Sequence, residues 1–271
     1  MFIKPHKSKG QNFLNNSKIS QQIVDSSYKG QYIIEVGPGI GALTDFLIKK
    51  YKKIFLIEVD LRIVENLKKQ YMHYIKKKQI IIYHCDVLLF DFNIIFENFN
   101  IKKNISIISN LPFNIIKKFF EKMLKYSYID KMTLMLQYEF LEMIENKINA
   151  FGYLVNIFFK HSVVTKVKKN FFTPSPKVDA IVMNFEKNFH NIDKHEEIYS
   201  VLKLIFTNKR KILKNIINNI DIPFINLDFL HKRPHELTLK QFYNIYYQYK
   251  NIFFLYALLK EHAIYSYYIN E

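Results

Sequence analysis

The chain has 271 residues and a formal net charge of +16, with 40 basic and 24 acidic side chains and a single cysteine. Its apolar content of 49% excludes a wholly disordered chain, and its apolar run at 252–259 is far shorter than the roughly 20 residues of a membrane-spanning helix. Because one cysteine cannot form an internal disulfide and the first residues lack the apolar stretch of a secretory signal, we expect a cytoplasmic protein with no membrane partner.

Up to about residue 185, short apolar runs alternate with stretches of helical periodicity. This alternation is typical of a mostly parallel sheet covered by helices on both faces, so we expect an α/β fold. The predicted strands are 32–36, 53–59, 79–84, 104–109, 131–136 and 180–185, and the predicted helices are 42–51, 62–74 and one from about 115.

After about residue 190 the pattern becomes helical, with predicted helices at 199–217 and 238–249 and a short one around Leu227. Thr238, followed three residues later by Gln241, matches a capping box. We therefore expect a sheet-bearing domain of residues 1–190 and a small C-terminal helical domain of residues 191–271.

Three of the six glycines, Gly37, Gly39 and Gly41, lie within five residues, directly after the predicted strand at 32–36. Glycine permits positive φ and close approach of a ligand to the backbone, and this turn of an α/β sheet binds nucleotide-like cofactors. Glu58, at the end of the next strand, suits ribose hydroxyls. NAD and S-adenosylmethionine (SAM) sites both use such a carboxylate, so Glu58 does not decide between them.

Two later strand ends distinguish a SAM site from an NAD site. Asp86 follows the strand at 79–84 and can accept a hydrogen bond from an adenine amino group, which a SAM site needs. The next strand ends in Asn-Leu-Pro-Phe at 110–113, which resembles the (Asp/Asn/Ser)-Pro-Pro-(Tyr/Phe) signature of methyltransferases acting on exocyclic amines. Hydride transfer has no use for such a loop, so an NAD-dependent oxidoreductase is disfavoured.

The loop at 110–113 fits the chemistry of adenine N6, a poor nucleophile because its lone pair is delocalised into the ring. The side-chain oxygen of Asn110 and the carbonyl of Leu111 can accept the two N6 hydrogens and aim the nitrogen at a methyl donor. Pro112 stiffens the loop, and Phe113 offers a stacking face to an unstacked base. We predict catalytic roles for these four residues.

Taken in order, the motifs resemble those of the KsgA-type small-subunit ribosomal RNA adenine N6,N6-dimethyltransferases. The resemblance runs from about residue 7 to residue 250. Its motifs are GQNFL at 10–14, EVGPGIGALT at 35–44, IEVD at 57–60, Asp86, NLPFNI at 110–115, MLQYE at 135–139, FTPSPKVDA at 172–180, NKRKILKNII at 208–217 and RPHELT at 233–238.

The resemblance implies a Rossmann-like class I SAM-dependent methyltransferase domain. It implies methyl transfer from SAM to N6 of two adjacent adenosines near the 3′ end of 16S rRNA in an assembling 30S subunit, by a monomer that needs no metal. It assigns cofactor contacts and base stacking to named residues. The cofactor contacts are Asn12, Leu14, Gly37, Glu58, Asp86 and Asn110, and the stacking residues are Phe113 and Phe172.

The basic residues concentrate at 4–9, 160–169 and 209–214, and such runs favour a polyanionic partner. Only three basic residues are arginines, and a coding bias toward Lys, Ile and Asn would also raise the charge. The last run could contact rRNA phosphates or could equally form a solvated helix face. Its candidate RNA-binding residues are Lys209, Arg210, Lys211 and Lys214.

The chain departs from the family pattern at Tyr138, Met143 and Tyr153, where basic residues are usual, and it continues beyond the core pattern after Tyr249. Two alternatives share the fold. A large-subunit rRNA adenine methyltransferase of the macrolide-resistance type has a similar catalytic loop, although the GPGIG turn at 37–41, Leu111 and the FTPSPKVDA motif favour the small-subunit enzyme. A non-catalytic ribosome-assembly factor is the other.

Overall fold

The computed structural model describes residues 3–6, 10–101, 105–147, 149–190, 192–218 and 228–248. The chain divides into two compact units, the first comprising Met1–Leu141 and Lys160–Lys187 and the second Glu142–Phe159 and Asn188–Glu271. The boundary expected near residue 190 assigns residues 142–159 to the first domain, whereas here they belong to the second unit. Residues 7–9, the stretch around Leu227 and the extension from Tyr249 lie outside the described residues.

The first unit contains most of the strands and helices. Its strands are β1 (Phe13–Leu14), β2 (Tyr32–Val36), β3 (Lys53–Glu58), β4 (Ile80–His84), β5 (Ile105–Asn110), β6 (Ile129–Gln137), β7 (Phe159–Val167, from its second residue), β8 (Phe172–Thr173) and β9 (Ala180–Lys187). Its helices are α1 (Ser17–Ser26), α2 (Thr44–Lys50), α3 (Leu61–Gln70), α4 (Met72–Lys76), α5 (Asn93–Asn98) and α6 (Ile116–Leu124).

Seven strands form one sheet in the order β4-β3-β2-β5-β6-β9-β7. The pairs from β4 to β6 are all parallel, and β9 is antiparallel to β6. Ile33 and Ile34 point to opposite faces of β2 and are both fully buried, as expected for a strand with both faces covered. The α/β fold predicted from the alternating pattern is confirmed.

The strand register places the functional ends of the strands at one edge of the sheet. Val36 pairs with Ile57 on one side and with Ser109 on the other, and Glu58 pairs with His84. Because these strands are parallel, the residues that follow them along the chain emerge together. The glycine turn, Asp86 and the loop after β5 therefore meet at this edge.

The predicted helix at 62–74 is broken into α3 and α4 at Tyr71. The Tyr71 hydroxyl donates to Asp45 Oδ1 at 2.6 Å and approaches the backbone of Gly41. A Cβ at Gly41 would collide with this hydroxyl. The third glycine of the turn is therefore required by the packing of Tyr71.

The second unit is helical in its described part. It contains the end of α7 (Tyr138–Glu145), α8 (Ala150–Phe158), α9 (His195–Phe206), α10 (Leu213–Asn218) and a helix over residues 239–248. The predicted helix at 199–217 is thus two helices separated by a turn at 207–212. None of the described helices is both long and apolar enough to cross a membrane.

The capping box predicted at Thr238 is confirmed. The Thr238 amide donates to Gln241 Oε1 at 3.0 Å, and the Gln241 amide donates to Thr238 Oγ1 at 3.2 Å. These reciprocal bonds satisfy two amides at the start of the helix.

Tyr153 is a core residue of the second unit. Its side chain is fully buried, and its hydroxyl donates to the carbonyls of Pro234, at 3.1 Å, and Leu237. Burial raises the pKa of this hydroxyl. Tyr153 therefore anchors the turn at 234–237 from inside the core of the second unit.

Candidate active site

A cavity of about 310 Å³ lies in the first unit, at the edge of the sheet where β2 to β5 end. Its walls include the glycine turn, the ends of β3 and β4, the loop after β5 and the segment 10–14. The structure brings together all the residues predicted to bind the cofactor, hold the target base or act in catalysis. These are Asn12, Leu14, Gly37, Glu58, Asp86, Asn110, Leu111, Pro112, Phe113 and Phe172.

Gly37 opens the turn at the end of β2. Its φ is 64°, its amide donates to Ile57 O at 2.9 Å, and a Cβ added there would meet no atom within 4 Å. Its backbone therefore borders open space in the cavity. A ligand can approach this backbone more closely than it could approach any other residue type.

Glu58 forms the wall next to this turn and is only 5% exposed. Its Oε1 accepts a hydrogen bond from the Asp60 amide at 2.9 Å, which fixes the carboxyl group. Burial raises the pKa of Glu58, and the backbone amides of Asp60, Gly39 and Val59 oppose that rise. A buried carboxyl group that backbone amides hold in place is well suited to accept hydrogen bonds from hydroxyl groups of a ligand.

Asp86 begins the turn that follows β4. Its Oδ1 accepts the Leu88 amide at 2.8 Å, so a ligand donor would bind the other oxygen, Oδ2. Cys85 is half-buried beside it, and its Sγ donates a weak hydrogen bond to Asp86 O at 3.4 Å. The turn thus orients one carboxylate oxygen by a backbone contact and leaves the second for recognition.

The orientation of the Asn110 amide follows from its partner. Its Nδ2 donates to the backbone carbonyl of Asn12 at 3.1 Å. A carbonyl only accepts hydrogen bonds, so the nitrogen must face Asn12 and Oδ1 must face away from it. This leaves Asn110 Oδ1 as an acceptor at the cavity wall. Leu111 is buried, and a 3-10 turn at Phe113–Ile115 leads from Pro112 into α6.

The segment 10–14 lines the cavity, and contacts of Gln11 and Asn15 anchor it. Gln11 Nε2 donates to Asp60 Oδ2 at 3.1 Å, and the Asn15 amide donates to Phe171 O at 2.8 Å. Between them, β1 pairs with β8, so that Leu14 lies opposite Phe172. The pairing brings a predicted cofactor contact and a predicted stacking residue to the same wall.

Glu35 is a cavity residue that the sequence reasoning missed. It lies near the end of β2, is 1% exposed, and accepts a hydrogen bond from Thr44 Oγ1 at 2.6 Å. Burial raises its pKa to about 8, and Asp45 and Glu58 add to the rise. The available signal was an acidic residue inside an otherwise apolar strand, directly before the glycine turn.

Comparison with known proteins decides the family. The sequence matches the ribosomal RNA adenine dimethylase family over residues 3–241. The chain belongs to this family. The match includes every residue predicted to bind the cofactor, act in catalysis or stack on the base, and family membership implies SAM as the methyl donor. The family predicted from the motifs is confirmed.

Several known proteins are similar to this chain over most of its length. Ribosomal RNA small subunit methyltransferase A of Ureaplasma parvum is 38% identical over 239 residues, covering 83% of this chain and 84% of that protein. The protein of the same name from Borreliella burgdorferi is 33% identical over 256 residues, covering 90% and 88%. The crystal structure of a dimethyladenosine transferase from Plasmodium falciparum has a TM-score of 0.74 at 21% identity, covering 89% of this chain and 98% of that one, and it confirms the fold.

The predicted RNA-binding residues of this family member lie in the second unit and are all exposed at its surface: Lys209, Arg210, Lys211 and Lys214. Lys209 and Arg210 line a cleft with Asn146, Arg233 and His235, so two of the three arginines of the chain meet there. Lys211 and Lys214 are not among the residues that line it.

In the part of the chain that the structure describes, no group of three or more His, Cys, Asp or Glu could hold a metal ion.

Proposed function

We propose that this protein transfers methyl groups from SAM to N6 of two adjacent adenosines near the 3′ end of 16S rRNA, giving N6,N6-dimethyladenosine during assembly of the small ribosomal subunit. It acts in the cytoplasm as a monomer on the 30S particle and requires no metal. The observation that carries this proposal is that the loop at 110–113 lines the same cavity as Gly37, Glu58 and Asp86. The names of its relatives, both small-subunit methyltransferases, support the choice of subunit.

The cavity residues fit a SAM molecule by their chemistry. The open space beside Gly37 admits the methionine–ribose part, and Glu58 accepts ribose hydroxyls. Asp86 Oδ2 accepts the adenine amino group, since Oδ1 is held by Leu88. Asn12 and Leu14, which line the cavity, cover the cofactor. When bound there, SAM supplies an electrophilic methyl group.

The target adenine is held by the other wall. Asn110 Oδ1 and the carbonyl of Leu111 accept the two N6 hydrogens, which favours positive charge developing on the nitrogen as it attacks. Pro112 keeps the loop in one conformation. Phe113 and Phe172 stack on the base, which must leave its own stack to enter the cavity.

The second unit contributes positive charge to RNA binding. Lys209 and Arg210 contact rRNA phosphates at the cleft, where Arg233 adds a planar guanidinium that can bind a phosphate through two parallel hydrogen bonds. Lys211 and Lys214 add to the positive surface beside it. Contacts to phosphate supply affinity and position without reading the sequence of the RNA.

Methylation of purified ribosomal subunits tests the proposal. The protein is incubated with methyl-labelled SAM and with small or large subunits from cells that lack the modification. Label is expected on adenosines of the small-subunit rRNA only. Label confined to large-subunit RNA would contradict the choice of substrate, and no label on either subunit would contradict an enzymatic role.

A further inference from the structure

The side chain of Lys166, at the end of β7, is held in place by two contacts. Its Nζ lies 3.3 Å from Asp179 Oδ2 and 4.3 Å from the centre of the Tyr138 ring. The side chain nevertheless remains 52% exposed. An aromatic face and a carboxylate thus fix a cation that is open to solvent, which reduces the rotamer entropy that a ligand would have to remove.

Asp179 is itself fixed, so the arrangement is not a chance encounter of two flexible side chains. Its Oδ1 accepts the Lys169 amide at 3.0 Å, and its backbone carbonyl accepts the Tyr138 amide at 3.1 Å. The hydrogen bond from the Lys169 amide and the nearby Lys166 ammonium hold the pKa of the Asp179 carboxyl below its usual value. The carboxylate therefore stays ionised and keeps Lys166 in position.

This group of residues adjoins the cavity through the chain itself. Ala180 and Phe172 both line the cavity. Asp179 directly precedes Ala180, and Lys169 begins a 3-10 turn that leads into Phe172. Asp179 is also the only acidic residue between 160 and 180, against five lysines. The surface next to the predicted stacking residue is thus strongly positive.

We propose that Lys166, with the exposed Lys168 and Lys169 beside it, binds a phosphate of the RNA strand next to the target adenosine. This inference rests on the proposed function, because a base drawn into the cavity brings its flanking phosphates to the surface around Phe172. Asp179 balances one of the three charges, and the other two leave the site attractive to an anion.

The same contact allows a second test at Tyr138. The Lys166 ammonium lies over the ring of Tyr138, the first residue of α7, so the two side chains reach the same place on the surface. A lysine at position 138 should therefore restore the positive charge that the loss of Lys166 removes.

The test compares Lys166→Ala, Lys166→Arg and the double variant Lys166→Ala/Tyr138→Lys with Lys160→Ala. Lys160 is the matched control because it is an exposed lysine on the same strand, about 20 Å away at 3.3 Å per residue. The KM and kcat for unmodified small subunits are measured as a function of salt, and the affinity for SAM is measured by calorimetry.

We expect Lys166→Ala to raise KM about 5- to 20-fold, to leave kcat within about twofold, and to lower the salt slope of subunit binding by about one. Lys166→Arg, Lys160→Ala and the double variant should have a KM within about threefold of the wild type. SAM affinity should be the same throughout.

An unchanged KM in Lys166→Ala, an equal rise in Lys160→Ala, or no recovery in the double variant would each overturn the phosphate contact. Loss of SAM affinity in Lys166→Ala would overturn it as well, since the residue would then be structural. If the wild-type protein methylates nothing, the proposed function fails, and binding of unmodified subunits by the same variants still tests the phosphate contact separately.

Discussion

The cavity of the first unit and the basic cleft of the second are built in different ways. In the cavity, specific hydrogen bonds orient individual side chains. The Asn110 amide donates to the backbone carbonyl of Asn12, and the Asp86 carboxylate accepts from the Leu88 amide. The cleft consists of exposed cationic side chains, including Lys209 and Arg210. Single changes in the cavity should therefore have large effects, whereas changes in the cleft should be small, additive and sensitive to salt.

Replacing Asn110 with alanine should have the largest effect. The variant loses the oxygen that accepts an N6 hydrogen, and removal of one oriented group of this kind lowers kcat about 10²- to 10³-fold. Single-turnover methylation of unmodified small subunits measures the loss. Asn66→Ala, on α3 of the same unit, is the control. A loss of less than about tenfold for Asn110→Ala would show that the loop does not act through this amide.

Replacing Glu35 with glutamine should change how stability depends on pH. The pKa of Glu35 is raised from 4.5 to about 8 by burial, so between these values the folded protein retains a proton that the unfolded chain has released. The free energy of unfolding should fall as pH rises through that range, by an amount on the order of a few kcal/mol.

Urea unfolding between pH 5 and pH 8 measures this dependence. Glu35→Gln stays neutral and keeps an acceptor for Thr44, so the fall in stability should be much smaller in this variant. Glu65→Gln, at an exposed position, should behave as the wild type. Equal pH dependence in Glu35→Gln and the wild type would contradict the buried, protonated state.

Replacing Asp86 with asparagine should weaken SAM binding about tenfold or more, because a hydrogen bond to a charged acceptor contributes about 1.5–3 kcal/mol. Asp91→Asn is a close control, since Asp91 Oδ1 accepts the Asn93 amide at 3.0 Å in the same kind of turn but lies outside the cavity. Calorimetry with SAM compares the two. Equal affinities for both variants would contradict the role of Asp86 in adenine recognition.

The smallest effects are expected in the cleft. Arg210→Ala should weaken binding to unmodified small subunits about three- to tenfold and lower the salt slope by about one, because Arg210 lines the cleft. Lys211→Ala removes the same charge from a neighbouring exposed residue that does not line the cleft, so it should have a smaller effect. The reverse order would show that total charge matters more than the cleft.

The sequence predicted the parts of the fold that rest on local pattern. The strand at 32–36 was placed to the residue, because a short apolar run ends at a glycine turn. The contact between the Tyr71 hydroxyl, at the break between α3 and α4, and Asp45 on α2 could not be predicted, because only the folded structure brings the two residues together. The pairing of β1 with β8 is only two residues long, too short for any periodicity to appear.

The candidate site was also predictable where it rests on strand ends, and not where it rests on burial or on contacts between distant parts of the chain. Glu58 and Asn110 end strands and Asp86 follows one closely, and the register of a parallel sheet brings strand ends together. Glu35 was missed because its importance comes from complete burial, which the sequence does not express. Lys166 reaches Tyr138 across 28 residues of chain, and only the folded structure joins them.

We propose that two adjacent adenosines of the small-subunit rRNA each receive two methyl groups in the cavity of the first unit. Unmodified small subunits are incubated with the protein and SAM, and the rRNA is digested and analysed by mass spectrometry. We expect N6,N6-dimethyladenosine at two neighbouring positions near the 3′ end, and far less of it from Asn110→Ala in the same incubation time. Small-subunit rRNA that carries no N6,N6-dimethyladenosine after incubation with active, SAM-binding protein would contradict it.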